Sequence, residues 1–158
     1  MKRLPLLAII MGIASPFPAI VCTAALLFYP SDRPLPGLTM ALVAYLALML
    51  AFSGAVHWGL ALDRPAVVTA SPTTRTDNRR MLTGGVPLPV GWLAILATFL
   101  GHAGAGLAIL LAGFAGLFLA ERAAWRRGEL PSGYLALRLC MTAVIMTCLA
   151  VALLARAI

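Results

Sequence analysis

Five apolar stretches, each close to the length needed to cross a bilayer, fill most of this 158-residue chain. A crossing helix takes about 20 apolar residues in a row. Only a helix or a closed barrel satisfies every backbone donor and acceptor inside hydrocarbon. The stretches run from Leu4 to Tyr29, Gly37 to Leu62, Arg80 to Leu100, Ala103 to about Arg122, and Tyr134 to Ala155. With 62% hydrophobic and 11% charged residues, the chain is far more apolar than a soluble domain, which is nearer half apolar and a quarter charged. The expected fold is therefore all-α, a single polytopic bundle of five transmembrane spans.

The breaks between and within these stretches shape that expectation. Pro16 and Pro18 interrupt the first. Each proline removes a backbone donor, so a kink is expected there. Gly84, Gly85, Pro87 and Pro89 crowd the start of the third, whose first half is expected to be broken or re-entrant. Gly101-His102 is too short for anything but a tight helical hairpin, with His102 solvated. The helix of the fourth stretch is expected to run on to about Arg127. Arg126 to Gly133 reads as a helix stop, a turn and a restart. The N-terminal Lys2-Arg3 and its apolar run resemble a signal peptide, but no small-x-small cleavage site ends the run, so an uncleaved first helix is expected.

Charge then orients the bundle. With five crossings the N-terminus, the Asp63–Arg79 connection and the Arg126–Gly133 turn share one face. That face holds Lys2, Arg3, Arg64, Arg75, Arg79, Arg80, Arg122, Arg126 and Arg127, with Arg138 just inside the fifth span on the same side; the other face holds Arg33 and Arg156. Cationic loops stay in the cytoplasm, so the N-terminus is expected inside and the C-terminus outside. The eleven-to-one preference for Arg over Lys, with abundant Ala, suits a high-GC bacterium, so a bacterial inner membrane is expected. The basic residues lie in loops beside spans and leave no membrane-free basic face, so nucleic-acid binding is not expected.

Chemistry-bearing motifs are scarce. Cys22, Cys140 and Cys148 all fall in apolar stretches, with no Cys-x-x-Cys pair or Cys/His cluster, so no metal site or cofactor is expected and the thiols read as small buried hydrophobes. No nucleotide loop and no pair of catalytic carboxylates is present, and no Asp, Glu or Lys is placed deep in any span. The polar residues within the membrane are His57, about 9 Å inside the second span, Trp58 beside it, Ser53 one turn away on the same face, and Arg138 at similar depth beyond Tyr134. A charged or polar group at that depth must find a partner or reach the headgroups. Two readings stand: a structural hydrogen-bond cluster pinning spans two, three and five, or an inner-leaflet pocket for an anionic lipid or quinone headgroup. A partner for His57 is sought in a carbonyl freed by Pro87 or Pro89, and one for Arg138 in carbonyls and Tyr134.

Packing signals are clearer. Gly104, Ala108, Ala112, Gly116 and Ala120 recur every fourth residue and form one stripe on the fourth span. Ala51, Ala55 and Gly59 make a shorter stripe on the second. Small stripes let helix backbones approach closely in lipid, so the fourth span is expected at the bundle centre against span two or five, with a dimer face as the alternative. Tyr29 and Trp125 read as interfacial anchors, and Trp92, near mid-span, as core packing.

A family resemblance rests on these same residues. Phe52-Ser53-Gly54-Ala55-Val56-His57-Trp58-Gly59-Leu60 is similar to the Phe-x-Gly-x-x-His-Trp-Gly-x segment of a bacterial and mitochondrial membrane family of unknown function that includes the animal transmembrane protein 69. Tyr134-Leu135-Ala136-Leu137-Arg138, continuing to Thr142, resembles its Tyr-x-x-Leu-Arg-x-x-x-Thr stretch. The proline-containing third span with Trp92 fits as well. The resemblance covers most of the chain and departs at Ser53-Gly54-Ala55, where members often carry paired glycines. It implies a small polytopic inner-membrane protein and no particular activity.

The functional expectation is a non-enzymatic accessory subunit or assembly factor that docks in the bilayer against other membrane subunits of a respiratory or photosynthetic complex. The alternative is a small transporter or a lipid- or quinone-binding protein built around His57 and Arg138.

Overall fold

The computed structural model describes residues 6–28, 37–62, 73–130 and 133–157. Lys2, Arg3, Tyr29, Arg33, Asp63 and Arg64 lie outside them. The described residues form seven helices: α1 (Leu6–Ala14), α2 (Phe17–Phe28), α3 (Leu38–Leu62), α4 (Thr73–Gly85), α5 (Pro87–Phe99), α6 (Ala103–Arg126) and α7 (Tyr134–Ala157). They supply five runs long and apolar enough to cross a membrane: Ile9–Phe28, Leu38–Gly59, Asn78–Phe99, Ala103–Arg126 and Tyr134–Ala155. The architecture is that of a multi-pass helical membrane protein.

The prolines act where the sequence places them, and the chain repairs what they remove. The first span breaks at Ser15-Pro16, between α1 and α2. Pro16 cannot serve the Gly12 carbonyl, and the Ser15 hydroxyl donates to it instead at 2.8 Å. Tyr45 of α3 donates its hydroxyl to the Ser15 carbonyl across the interface. The third span is interrupted at one residue only, between α4 and α5. Val86, the residue between α4 and α5, keeps helical angles (φ −59°, ψ −38°), and its amide still reaches the Leu82 carbonyl at 3.1 Å. Pro87 stands at the first position of α5, where a missing donor is tolerated. The 22 residues Asn78–Phe99 therefore continue as one rod, about 33 Å at 1.5 Å per residue. Helix α4 begins at Thr73, five residues before the apolar run, because nothing from Thr73 to Thr83 breaks a helix.

Two left-handed glycines close the turns. Gly101 (φ +88°) and Gly128 (φ +73°) follow α5 and α6. The amides two residues beyond each cap bond back to Ala97 (2.9 Å) and Ala124 (3.1 Å), the six-to-one bond that ends a helix. The Gly101-His102 hairpin is thus as tight as its sequence implies, and His102 is exposed.

The spans close into a ring: α2 packs on α3, α3 on α4–α5, α5 on α6, α6 on α7 and α7 back on α2, with α3 and α6 also touching across the middle. Leu42, Leu46 and Leu50 of α3 meet Leu107, Leu110 and Phe114 of α6 and Ile145 and Leu149 of α7 in a fully enclosed core. Large apolar side chains also cover the outside, with Phe52, Phe99 and Phe28 each more than 70% exposed. Water would not tolerate such a surface; lipid does.

Close helix approach uses glycines other than those of the striped positions. A Cβ on Gly106 would lie 2.1 Å from Thr98 Oγ1 and 2.7 Å from the Ala94 carbonyl. One on Gly54 would lie 2.6 Å from the Gly84 carbonyl, and one on Gly91 3.0 Å from that of Ala47. The stripe Gly104, Ala108, Ala112, Gly116 and Ala120 does not mediate the expected packing against span two or five. Ala108, Ala112 and Gly116 are exposed, and Gly104 and Gly116 face open space. Spacing alone marks a face and does not say which way it points. The core is filled by the larger Leu107, Leu110, Phe114 and Leu117, which turn the small face outward. Ala55 and Gly59 of the shorter stripe are exposed too, and Trp92, expected in the core, is 60% exposed on the outer wall.

Candidate functional site

The buried polar groups gather at the end of the bundle that carries the arginines. There Arg80 donates to the Glu129 carbonyl at 3.1 Å, joining the base of the third span to the turn after α6. Just inside, α6 contributes Glu121, a carboxylate with no exposed surface. It continues the buried stripe Leu110, Phe114, Leu117, Glu121 and Ala124, whose steps of four and three residues keep one helix face inward.

Two helices face this carboxylate, each with a pair of polar residues four apart. From α7, Arg138 Nε donates to Glu121 Oε2 at 2.8 Å, and the Tyr134 hydroxyl donates to Oε1 at 3.1 Å. From α3, His57 Nε2 lies 3.5 Å from Oε1, and Ser53 Oγ accepts a bond from Arg138 Nη1 at 2.9 Å. Arg138 is therefore a bracket between α6 and α3, held by a charge-assisted bond on one side and a hydroxyl on the other. His57, Arg138 and Ser53 are all at least 95% buried. His57 Nε2 is enclosed and has no hydrogen bond.

Four of the five polar residues picked from the sequence thus converge: His57, Ser53, Tyr134 and Arg138. Trp58 does not join them. One position on from His57, it points to the other side of α3, where its indole N–H donates to the Met81 carbonyl at 3.0 Å and its ring lies over Gly84. The partners also differ from those expected. His57 looks to a carboxylate, not to a carbonyl freed by proline, and Arg138 is held by Glu121 and Ser53 as well as lying beside Tyr134. Contrary to the expectation of no acidic residue deep in a span, Glu121 lies within the Ala103–Arg126 run and inside the protein. Hydropathy places Glu121 at the rim because Arg122 follows it. The signal that finds it is the heptad-like continuation of the buried stripe. Trp125, 46% exposed near the end of α6, stands where an interfacial anchor would.

Outside the spans, Glu129 accepts two bonds from Arg127, at 2.6 and 3.3 Å. That pairing holds its carboxyl below the usual carboxylate range against partial burial, and the charges of Arg80 and Arg79 add to the effect.

A second feature opens on the outer wall between α3, α4–α5 and α6. It is a cavity of about 570 Å³ whose lining includes Leu50, Thr83, Pro87, Val90, Gly116 and Ala120. None of the residues of the Glu121 cluster lines it.

With this geometry in place, the chain can be compared with known families. The family described as Protein of unknown function (DUF3429) matches residues 4–154. This chain belongs to that family. No curated protein and no solved structure matches it. The DUF3429 match takes in all five apolar runs of the described residues up to Leu154 and both helices that face Glu121.

Proposed function

We propose that this DUF3429 protein is a non-catalytic membrane component, an accessory subunit or assembly factor of a larger inner-membrane complex, respiratory or photosynthetic. The observation that carries this reading is the closure of the Glu121 cluster. Its carboxylate, guanidinium and hydroxyls are bonded to one another, and Glu121, Arg138, Ser53 and His57 are all buried. Such a node fixes α3, α6 and α7 in one register and leaves the outer apolar wall as the surface that meets other subunits. The test is deletion of the protein followed by native gel separation of the membrane complexes. Depletion of one complex, restored by the full chain, supports the reading. Unchanged complexes, together with a chain that purifies alone after gentle extraction, defeat it.

One atom favours a second reading, a small proton-handling transporter. His57 Nε2, enclosed and without a hydrogen bond, stands 3.5 Å from a carboxylate oxygen within a span. Intramembrane acid–base pairs of this kind mark proton relays. Replacing His57 with Ala separates the two. A fall in thermal stability alone supports the structural role, while loss of pH-driven uptake in proteoliposomes with stability kept supports the relay. The sequence-based alternative of a lipid or quinone headgroup on His57 and Arg138 has less support, because both are turned inward on Glu121.

A further inference from the structure

We infer that the outer-wall cavity is a binding site for an anionic membrane phospholipid, with one acyl chain in the cavity and the phosphate at Arg79. The cavity's wall on α6 runs from Ile109 to Ala120. Those eleven steps span about 16 Å along a helix, half of the ~30 Å hydrocarbon core and so the depth of one leaflet. Its surface is almost wholly hydrocarbon, and its volume of about 570 Å³ lies within the range of ordinary ligand sites. The small residues Ala112, Gly116 and Ala120 give it depth, since each leaves the space that a larger side chain would fill. This gives a role to the second half of the small-residue stripe, Ala112, Gly116 and Ala120.

Charge fixes which lipid. The cavity ends at the arginine-rich edge of the protein, at Thr83 on α4 and Ala120 on α6. Arg79 lies one turn before Thr83 on the same helix face; it is exposed and forms no ion pair among the described residues. Arg127 lies two turns beyond Ala120 on the face of the stripe, with its guanidinium oriented by Glu129 at 2.6 Å. Because Glu129 already holds Arg127 through two bonds, Arg79 is the cation left to a phosphodiester at the cavity's end, and a zwitterionic headgroup would bring its own cation into the same field. This site is separate from the Glu121 cluster and does not depend on the subunit reading.

The test uses the full chain in neutral detergent, titrated with phosphatidylglycerol or with phosphatidylcholine of the same acyl chains, and read by native mass spectrometry. Phosphatidylglycerol is expected to bind more tightly. Arg79→Gln should weaken it about fivefold, the effect of one basic residue near an anionic lipid surface, and weaken phosphatidylcholine less, since choline already offsets its phosphate. Gly116→Leu, whose side chain enters open space, should keep the helical content and weaken both lipids about tenfold by displacing one or two buried methylenes. Four results would overturn the assignment. These are equal affinity for the two lipids, full binding by Gly116→Leu, equal binding of glycerol phosphate without chains, and a dimer in the parent that Gly116→Leu abolishes, which would give the cavity to a second copy of the chain.

Discussion

The sharpest prediction concerns the charge on Glu121. Glu121→Gln keeps the shape of the side chain and its capacity to accept from Tyr134, and removes only the negative charge. Arg138 would remain enclosed, with a neutral amide 2.8 Å from Nε and the Ser53 hydroxyl 2.9 Å from Nη1. Two unit charges about 4 Å apart attract by about 4 kcal/mol at the effective dielectric of partly buried sites. Breaking a buried ion pair by removing one partner typically costs about 3–5 kcal/mol, because the other charge is left uncompensated. Ordinary hydrogen bonds between transmembrane helices average only ~0.6 kcal/mol, so the two cases are separable. Removing both charges, as in Glu121→Gln with Arg138→Met, should recover most of the loss. The assay is reversible unfolding in mixed micelles of increasing SDS fraction, followed by circular dichroism, for the parent, both single variants and the double variant. The expected result is a loss of about 3–5 kcal/mol for Glu121→Gln and a coupling energy above about 2 kcal/mol. Single losses under about 1 kcal/mol that add within about 0.5 kcal/mol would show that the pair is not coupled, and the account of the node as an electrostatic bracket would be wrong.

Other expectations follow from the same geometry. Gly106→Ala should destabilise by about 1–3 kcal/mol, since its Cβ would strike Thr98 and the Ala94 carbonyl. Gly116→Ala, facing open space, should be neutral or gain up to about 1 kcal/mol from helix propensity; equal losses at both sites in the same unfolding assay would contradict the placement of α6. Gly84→Ala would put a Cβ 2.2 Å from Trp58 Cδ1, so the indole must leave its bond to Met81. A shift in Trp58 fluorescence, measured with Trp92 and Trp125 replaced by Phe, should accompany lower stability, and an unmoved spectrum would count against this contact. For pH, the Glu129 carboxyl is lowered in the folded protein by Arg127. Its contribution is therefore complete above the ordinary carboxylate pKa of about 4.3 and is lost as pH falls through the lower folded value. The pair is partly exposed, so the effect is at most about 1 kcal/mol, and Glu129→Gln should flatten that part of the pH–stability curve.

The number and placement of the spans are legible in the sequence because apolar length is a physical requirement of the bilayer and is written residue by residue. The kink at Pro16 and the turn at Gly101 are legible for the same reason: each is a local property of one or two residues. The polar cluster is half legible. Ser53 with His57, and Tyr134 with Arg138, stand out as pairs four apart on apolar helices. The acid that joins them is obscured because Glu121 is followed by Arg122, and charge near a span end reads as rim. What a sequence does not show directly is rotation about a helix axis. The stripe from Gly104 to Ala120 has the spacing of a packing face, but α6 presents its leucines and Phe114 inward, so the stripe faces out. Trp92 is misjudged in the same way: its depth along α5 is evident, its azimuth is not.

The position of Glu121 relative to its partners has a consequence for biogenesis. The chain leaves the ribosome from its N-terminus, so α6 enters the bilayer before Tyr134 and Arg138 of α7 have been made. Until then the acid has only His57 of α3 beside it, with no cation of the last span to answer it. Completion of the final helix is thus a chemical checkpoint as well as a geometric one. Chains ending before Tyr134 would display an unanswered carboxyl group to the surveillance proteases of the membrane, and pulse–chase decay of such truncations measures how strictly that checkpoint is read.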